Sequence, residues 1–233
     1  MRIEELFDLE GFDHPELFAD ASQPWEPLHR LAPYLAEHTA LPHQEGEVHP
    51  TAVVEGNVVI GPGAVVGAGA VIRGPAIIGP GAFVGDALVR GSLLGPGAVV
   101  GHGCEVVLSI LLTGTRVAHL AAAADSLVGR DVNVAGGCMI TNLKLDESEV
   151  QVVLEGRRWG TGLRKLGGLL GDEVKLGAHC TLMPGTILGP RCLVYPGAIL
   201  RGTHGVEEPV IVKITQKQTV VRRASRGHCK EDQ

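Results

Sequence analysis

Aromatic rings are scarce in this chain: Phe, Trp and Tyr together make up 3% of its 233 residues. A core without rings is built from Val, Ile, Leu and Ala, which suits a narrow, regular interior better than a broad globular one. Positive charge is also short, with 20 Lys and Arg against 26 Asp and Glu and a net charge of −6. Without a basic stripe or stacking rings, nucleic-acid binding is set aside. The five cysteines are an odd number and show no C-x-x-C spacing. That argues against a disulfide framework or zinc knuckle and for a reducing, cytoplasmic setting. No apolar run approaches the roughly 18–20 residues of a membrane span, so none is expected. The acidic opening MRIEELFDLE lacks the apolar stretch of a signal peptide.

What remains is enough to fold. Hydrophobic residues are 45% of the chain, which excludes wholesale disorder. Charge is unevenly spread. Residues 1–50 hold eleven acids and two bases, residues 51–202 eleven acids and twelve bases, and residues 203–233 four acids and six bases.

Glycine is abundant, at 33 residues, and it is periodic. From Val54 the chain runs in sixes, VEGNVV-IGPGAV-VGAGAV-IRGPAI-IGPGAF-VGDALV, led by Val54, Ile60, Val66, Ile72, Ile78 and Val84. The pattern slips by four and resumes at Leu94, Val100, Val106, Leu112 and Ala118. It slips again and resumes at Val128, Val134 and Ile140. After an irregular stretch it returns at Leu170, Leu176, Leu182, Leu188, Val194 and Leu200. The second slot of a hexad is usually Gly, which marks a turn every six residues. The fifth slot is small, as in Ala64, Ala70, Ala82 and Ala98, and Cys104, Cys138, Cys180 and Cys192 all fall in it. These four thiols read as small core fillers. One long and one small inward slot per hexad describe a triangular coil of three short strands, about 18 residues per turn. Six to seven coils at about 4.8 Å each predict a prism roughly 30 Å tall.

Three segments flank or interrupt the sixes. Residues 1–48 are acidic and contain a predicted helix over Pro27–His38, and Phe7, Phe12, Phe18 and Trp25 are expected to pack on the prism or on a neighbour. The repeat occupies 49–202 with a long excursion over 142–169, read as a hairpin rich in Arg157, Arg158, Arg164 and Lys165. That excursion is either a solvated loop or a phosphate-binding arm. Residues 203–233 are expected to cap the prism through VIVKI and TVV and to end in a basic tail.

The series RVAHL…DSLVGRDVNVAGGCMITN, followed by GRRWGTGLRKLGGLLGDEVKLGAHCTLMPGTILGP and VYPGA, resembles the C-terminal acetyltransferase half of the bifunctional sugar-1-phosphate uridylyltransferase/glucosamine-1-phosphate acetyltransferases, over roughly residues 50–205. The resemblance implies a left-handed parallel β-helix, an all-β fold assembled as a homotrimer. It also implies acetyl-CoA, or another acyl-CoA, as co-substrate, and an amino-sugar phosphate or nucleotide sugar as acceptor in a cleft between prisms. It places His119 on the catalytic histidine, whose neutral imidazole can take the proton an attacking amine loses. Asn142 and Asn133 fall on positions at the reaction centre and the sugar. Arg90 falls on a phosphate-binding arginine, where the first slip in register occurs. Lys144, Arg164 and Lys165 join it as substrate-binding candidates. Gly177, Ala178, Tyr195 and Ala198 match turns beside the pantetheine, and Arg201 is placed near the CoA phosphates by charge alone. No metal ligand set is implied: His102, His119 and His179 fall on different coils. Departures are equally visible. The family's sugar-phosphate lysine aligns with Val107, its tyrosine with Ala122, and its later lysines near Ser148 and Gln151. No glycine-rich phosphate loop stands near the start, so uridylyl transfer is not expected. The alternative is a catalytically degenerate prism serving as a scaffold or regulator.

Overall fold

The computed structural model describes residues 1–154 and 156–214; the predicted TVV strand and basic tail lie outside them. The repeat forms a left-handed parallel β-helix with three flat faces, named I, II and III in the order the chain visits them. Among the described residues face I has nine strands, from Glu47–Val48 to Ile211–Val212. Face II has eight, from Val53–Glu55 to Ile199–Leu200, and face III has eight, from Val58–Ile60 to Thr203–His204. The prism is therefore taller than the repeat count suggests, roughly 38 Å at about 4.8 Å per rung. The gain comes from rungs at both ends, including the VIVKI segment, whose Ile211–Val212 strand extends face I beyond Leu193–Val194, and from the Leu88–Arg90 and Ala122–Ala124 rungs inside the apparent slips.

The two slips of four are not slips at all. They are five-residue rungs. Val84 is followed inward by Val89 and then Leu94, so the coil shortens from 18 to 16 residues here and holds at 17 in the coils that follow. The true inward leads of the next coil are Leu111 and Val117, aligned with Leu94 and Val100, rather than Leu112 and Ala118. Arg90 consequently does not occupy a lead position: Val89 is buried and Arg90 points outward.

Shortening a rung removes a backbone group from the II/III corner, and buried serines replace it. Ser92, Ser109 and Ser126 stack 17 residues apart in one inward column. The Ser109 amide donates to Ser92 Oγ at 3.1 Å, the Ser126 amide to Ser109 Oγ at 3.0 Å and the Gly168 amide to Ser126 Oγ at 3.1 Å. Each hydroxyl in turn faces the carbonyl two residues back, at 2.8–2.9 Å. All three serines are fully buried, and this ladder satisfies polar groups that would otherwise be orphaned.

Inside the prism the long slots (Ile60, Ile72, Ile78, Leu94, Leu111, Leu170) and the small slots (Ala64, Ala82, Cys138, Cys180) close into one apolar column. Each of the four repeat cysteines is buried there, unpaired. A second apolar layer lies outside face III. The outward residues of that face, Ile77, Leu93, Ile110, Leu127, Leu169 and Ile187, are covered by the segment before the repeat. That segment carries helix α1, Glu26–His38, with Pro33 inside it, and brings down Phe7, Phe12, Phe18, Trp25, Leu31 and Leu35. The excursion forms an antiparallel hairpin, Gln151–Leu154 against Arg157–Gly160, and adds Val150, Val152 and Leu154 to the same layer. Asp172 fastens the start of the chain: its carboxylate accepts the amides of Asp8 and Arg130 at 2.6 and 2.7 Å, and Arg130 pairs with Asp8 at 2.8 Å. No helix among the described residues is long and apolar enough to cross a membrane.

Candidate active site

With face III roofed by the chain itself, the candidate residues line the two edges of face II. The first is the I/II edge. In each coil a short corner between a lead residue and the next small slot turns the chain there, and the second residues after the leads stack as Asp86, His102, His119, Gly136, Ala178 and Pro196. The register is fixed by the backbone: the Leu120 amide donates to His102 O at 2.8 Å and the Gly137 amide to His119 O at 3.0 Å. His119 is exposed, and its ring makes no hydrogen bond to the described residues. One rung above, His102 Nδ1 lies 2.5 Å from Asp86 Oδ2. Below it Gly136 offers no side chain, so a ligand can lie along the edge past His119. Asn133 is on face I beside this edge, in one row with Arg116 and Lys175.

Ala178 and the exposed Tyr195 continue the I/II edge downward, with the Lys213 ammonium 5.4 Å from the tyrosine ring centroid. Gly177 has a packing reason to be glycine: a Cβ there would sit 2.5 Å from Pro196 N in the next rung. Ala198 turns its methyl into the core. Only its backbone can face a ligand, and the carbonyl is already taken by the Thr181 amide at 2.8 Å.

The II/III edge gathers the other group. Asp125 and Asn142 stand on consecutive rungs there, and Asn142 Nδ2 donates to Asp125 Oδ2 at 2.5 Å. The strand returning from the excursion holds both backbones: the Leu166 amide donates to Asn142 O at 2.9 Å and the Gly167 amide to Asp125 O at 2.8 Å. Burial pushes the Asp125 carboxyl above its ordinary value, while the Asn142 hydrogen bond and the charges of Lys165 and Arg90 pull it down. Asn142 is thus brought to a carboxylate that the motif reading passed over, and the charges of Lys165 and of Arg90, two rungs above, act on it. Its signal was an aspartate forced into left-handed backbone (φ 46°) just before a ladder serine. Arg164 turns away to Glu147 at 2.8 Å, and Lys144 turns toward Ser148, with Asp146 at 3.5 Å. Further down, an open cleft of about 1240 Å³ is lined by Lys144, Arg158 and Arg201 with Glu5, Glu207 and Glu208.

Between the edges, Ala122 and Ala124 form the floor of face II at the His119 rung. Within one chain His119 and Asp125 are six residues apart along an extended rung, roughly 15–20 Å. One copy therefore does not bring His119 to Asn142. Among the described residues no three His, Cys, Asp or Glu side chains cluster to hold a metal.

A roofed β-helix with polar clusters on its free edges is a hexapeptide-repeat architecture. Residues 68–157, which include Arg90, His119, Asn133 and Asn142, match the family model described as GlmU-like, C-terminal hexapeptide. The bifunctional sugar-1-phosphate nucleotidylyltransferase/acetyltransferase of Sulfurisphaera tokodaii is 38% identical over 104 residues, 45% of this chain and 26% of the relative. The bifunctional protein GlmU of Methanococcus vannielii is 32% identical over 201 residues, 83% of this chain and 48% of the relative. The chain thus spans half or less of the length of these curated relatives. The solved polysialic acid O-acetyltransferase OatWY aligns at 16% identity over 80% of this chain and 90% of that one, with a TM-score of 0.35.

Proposed function

We propose that the protein is a CoA-dependent acyltransferase that acetylates the amine of a sugar phosphate or nucleotide sugar. The observation that carries this reading is the split of the candidate residues between the two edges of the one free face they share. An I/II edge with an unengaged imidazole and a II/III edge with Asn142, Arg90 and Lys165 make one site when copies pack side by side. Such a contact joins two different surfaces and closes as a ring, a trimer in this reading. Faces I and II carry exposed apolar residues suited to it: Val65, Phe83, Leu193, Met139 and Ile199.

In this site the acceptor phosphate pairs with Arg90 and Lys165. The acceptor nitrogen attacks the thioester carbonyl of acetyl-CoA. As the C–N bond forms, His119 takes the amine proton; the tetrahedral intermediate then collapses, the C–S bond breaks, and the proton passes to the departing CoA sulfur. Arg201, with Arg158 and Lys144 in the cleft, supplies cations for the CoA phosphates. A cytoplasmic setting accords with four unpaired core thiols.

The test is calorimetric acetyl-CoA binding at concentrations that populate the oligomer, followed by turnover with amino-sugar phosphates and nucleotide amino sugars. His119→Ala is expected to keep CoA binding and lose roughly 10²–10⁴ in kcat; unchanged turnover sinks the mechanism. A second reading, a prism retired from catalysis, is favoured by Val107 and Ala122 at the family's lysine and tyrosine positions. Failure of the wild type to bind CoA at millimolar concentration decides for it.

A further inference from the structure

A carboxylate can only accept hydrogen bonds, and an amide side chain presents a donor on one end and an acceptor on the other. Asn142 Nδ2 lies 2.5 Å from Asp125 Oδ2, so the amide nitrogen, and not its oxygen, must face the carboxylate. That leaves Asn142 Oδ1 directed away from Asp125. Both residues are held at their backbones by Leu166 and Gly167 of the returning strand, so neither can turn by moving its corner. Asp125 itself is kept at a left-handed backbone angle and partly out of water, an unfavourable place for a carboxylate whose purpose is packing alone. The charges of Lys165, just before the returning strand, and of Arg90, two rungs above, act on it.

We propose that Asp125 is a positioning residue that locks Asn142 as a hydrogen-bond acceptor, so that this edge selects an acceptor substrate by its N–H donor. The proposal rests on the acyltransferase reading and adds to it the element that orients the attacking amine. The Asn142 carbonyl oxygen receives the N–H that is not transferred, which points the nitrogen lone pair toward the thioester. With the amide free to flip, its NH2 would meet the amine donor to donor, and binding would weaken.

The experiment uses the full chain with acetyl-CoA and glucosamine 1-phosphate as probe, wild type against Asp125→Asn, across acid to neutral pH. Asn adopts left-handed backbone readily, so the variant is expected to fold, which circular dichroism checks. The KM for the amino sugar is expected to rise roughly ten- to hundredfold, as for a lost hydrogen bond to a charged group, while the KM for acetyl-CoA stays put. In the wild type the sugar KM rises as pH falls and Asp125 is protonated, and in the variant that component disappears. Equal sugar KM and an identical pH profile in the two proteins overturn the proposal. Should the wild type turn over neither this probe nor the other amino-sugar phosphates and nucleotide amino sugars, the acyltransferase reading falls first, and the pair is tested alone. The Asn142 side-chain amide signal, assigned by its loss in Asn142→Ala, is then expected to shift with pH and in Asp125→Asn, and a signal that moves in neither case overturns the lock.

Discussion

Ser109→Ala is the sharpest probe of the corner on which the II/III edge is built. The wild-type hydroxyl faces Val107 O at 2.9 Å and Ala123 O at 3.2 Å and accepts the Ser126 amide at 3.0 Å. Alanine fits the column, since Ala76 holds the same slot two coils earlier, so the change adds no clash. It leaves the Ser126 amide without a partner in a fully buried place, while Val107 O keeps the Asp125 amide at 2.9 Å. An unpaired buried polar group costs about 1–3 kcal/mol. For a domain of this size that corresponds to a fall of roughly 2–12 °C in Tm. Chemical and thermal denaturation of the full chain would measure it, with Ser109→Thr retaining the hydroxyl and expected to recover most of the loss. A midpoint for Ser109→Ala within experimental error of the wild type would refute the idea that hydroxyls substitute for the missing backbone of a five-residue rung.

Three further outcomes follow from the same geometry. Asp172→Ala removes the acceptor for two amides and is expected to free the first 25 or so residues to limited proteolysis while the prism stays protected, read by mass mapping of the fragments. Burial raises the Asp172 carboxyl in the folded protein, so this group favours the folded state most below its ordinary value of 3.8 and loses that contribution as pH rises through the raised folded value. Cys104, Cys138, Cys180 and Cys192 are expected to resist thiol reagents until the prism unfolds, burial having pushed the Cys138 thiol up to about 11; labelling of any of the four in the native state would place it outside the core. Phe83→Glu, in the apolar row of face I, is expected to shift the protein from oligomer to monomer by light scattering with its β spectrum intact; an unchanged mass would show that this row is not the contact.

The prism was legible because aliphatic leads and glycine corners repeat with little noise. Its exact register was not, because the ambiguous pairs Leu111/Leu112 and Val117/Ala118 are apolar or small at both positions, and a five-residue rung moves the lead by one without changing the composition. The roof over face III also left a trace that hexad counting overlooks. The residue before each lead is mixed on faces I and II, as in Arg116, Asn133, Lys175 and Glu105, yet on face III it is always a large aliphatic, from Ile77 to Ile187. Reading every third hexad would have exposed that face as covered. Arg90, His119 and Asn142 could be named from motif alone, but the Asp125–Asn142 pair depends on where a 24-residue detour returns, and no local pattern encodes that closure.

The roof has one more consequence. A triangular prism with three bare apolar sides is a tile that can pave a plane, each side accepting another copy without end. Covering one side with the chain's own leading segment leaves a tile with two mating sides. Growth through them can close on itself or run in single file, but it cannot branch. The same forty-odd residues that finish the core thereby set an upper bound on how crowded this protein's own company can become.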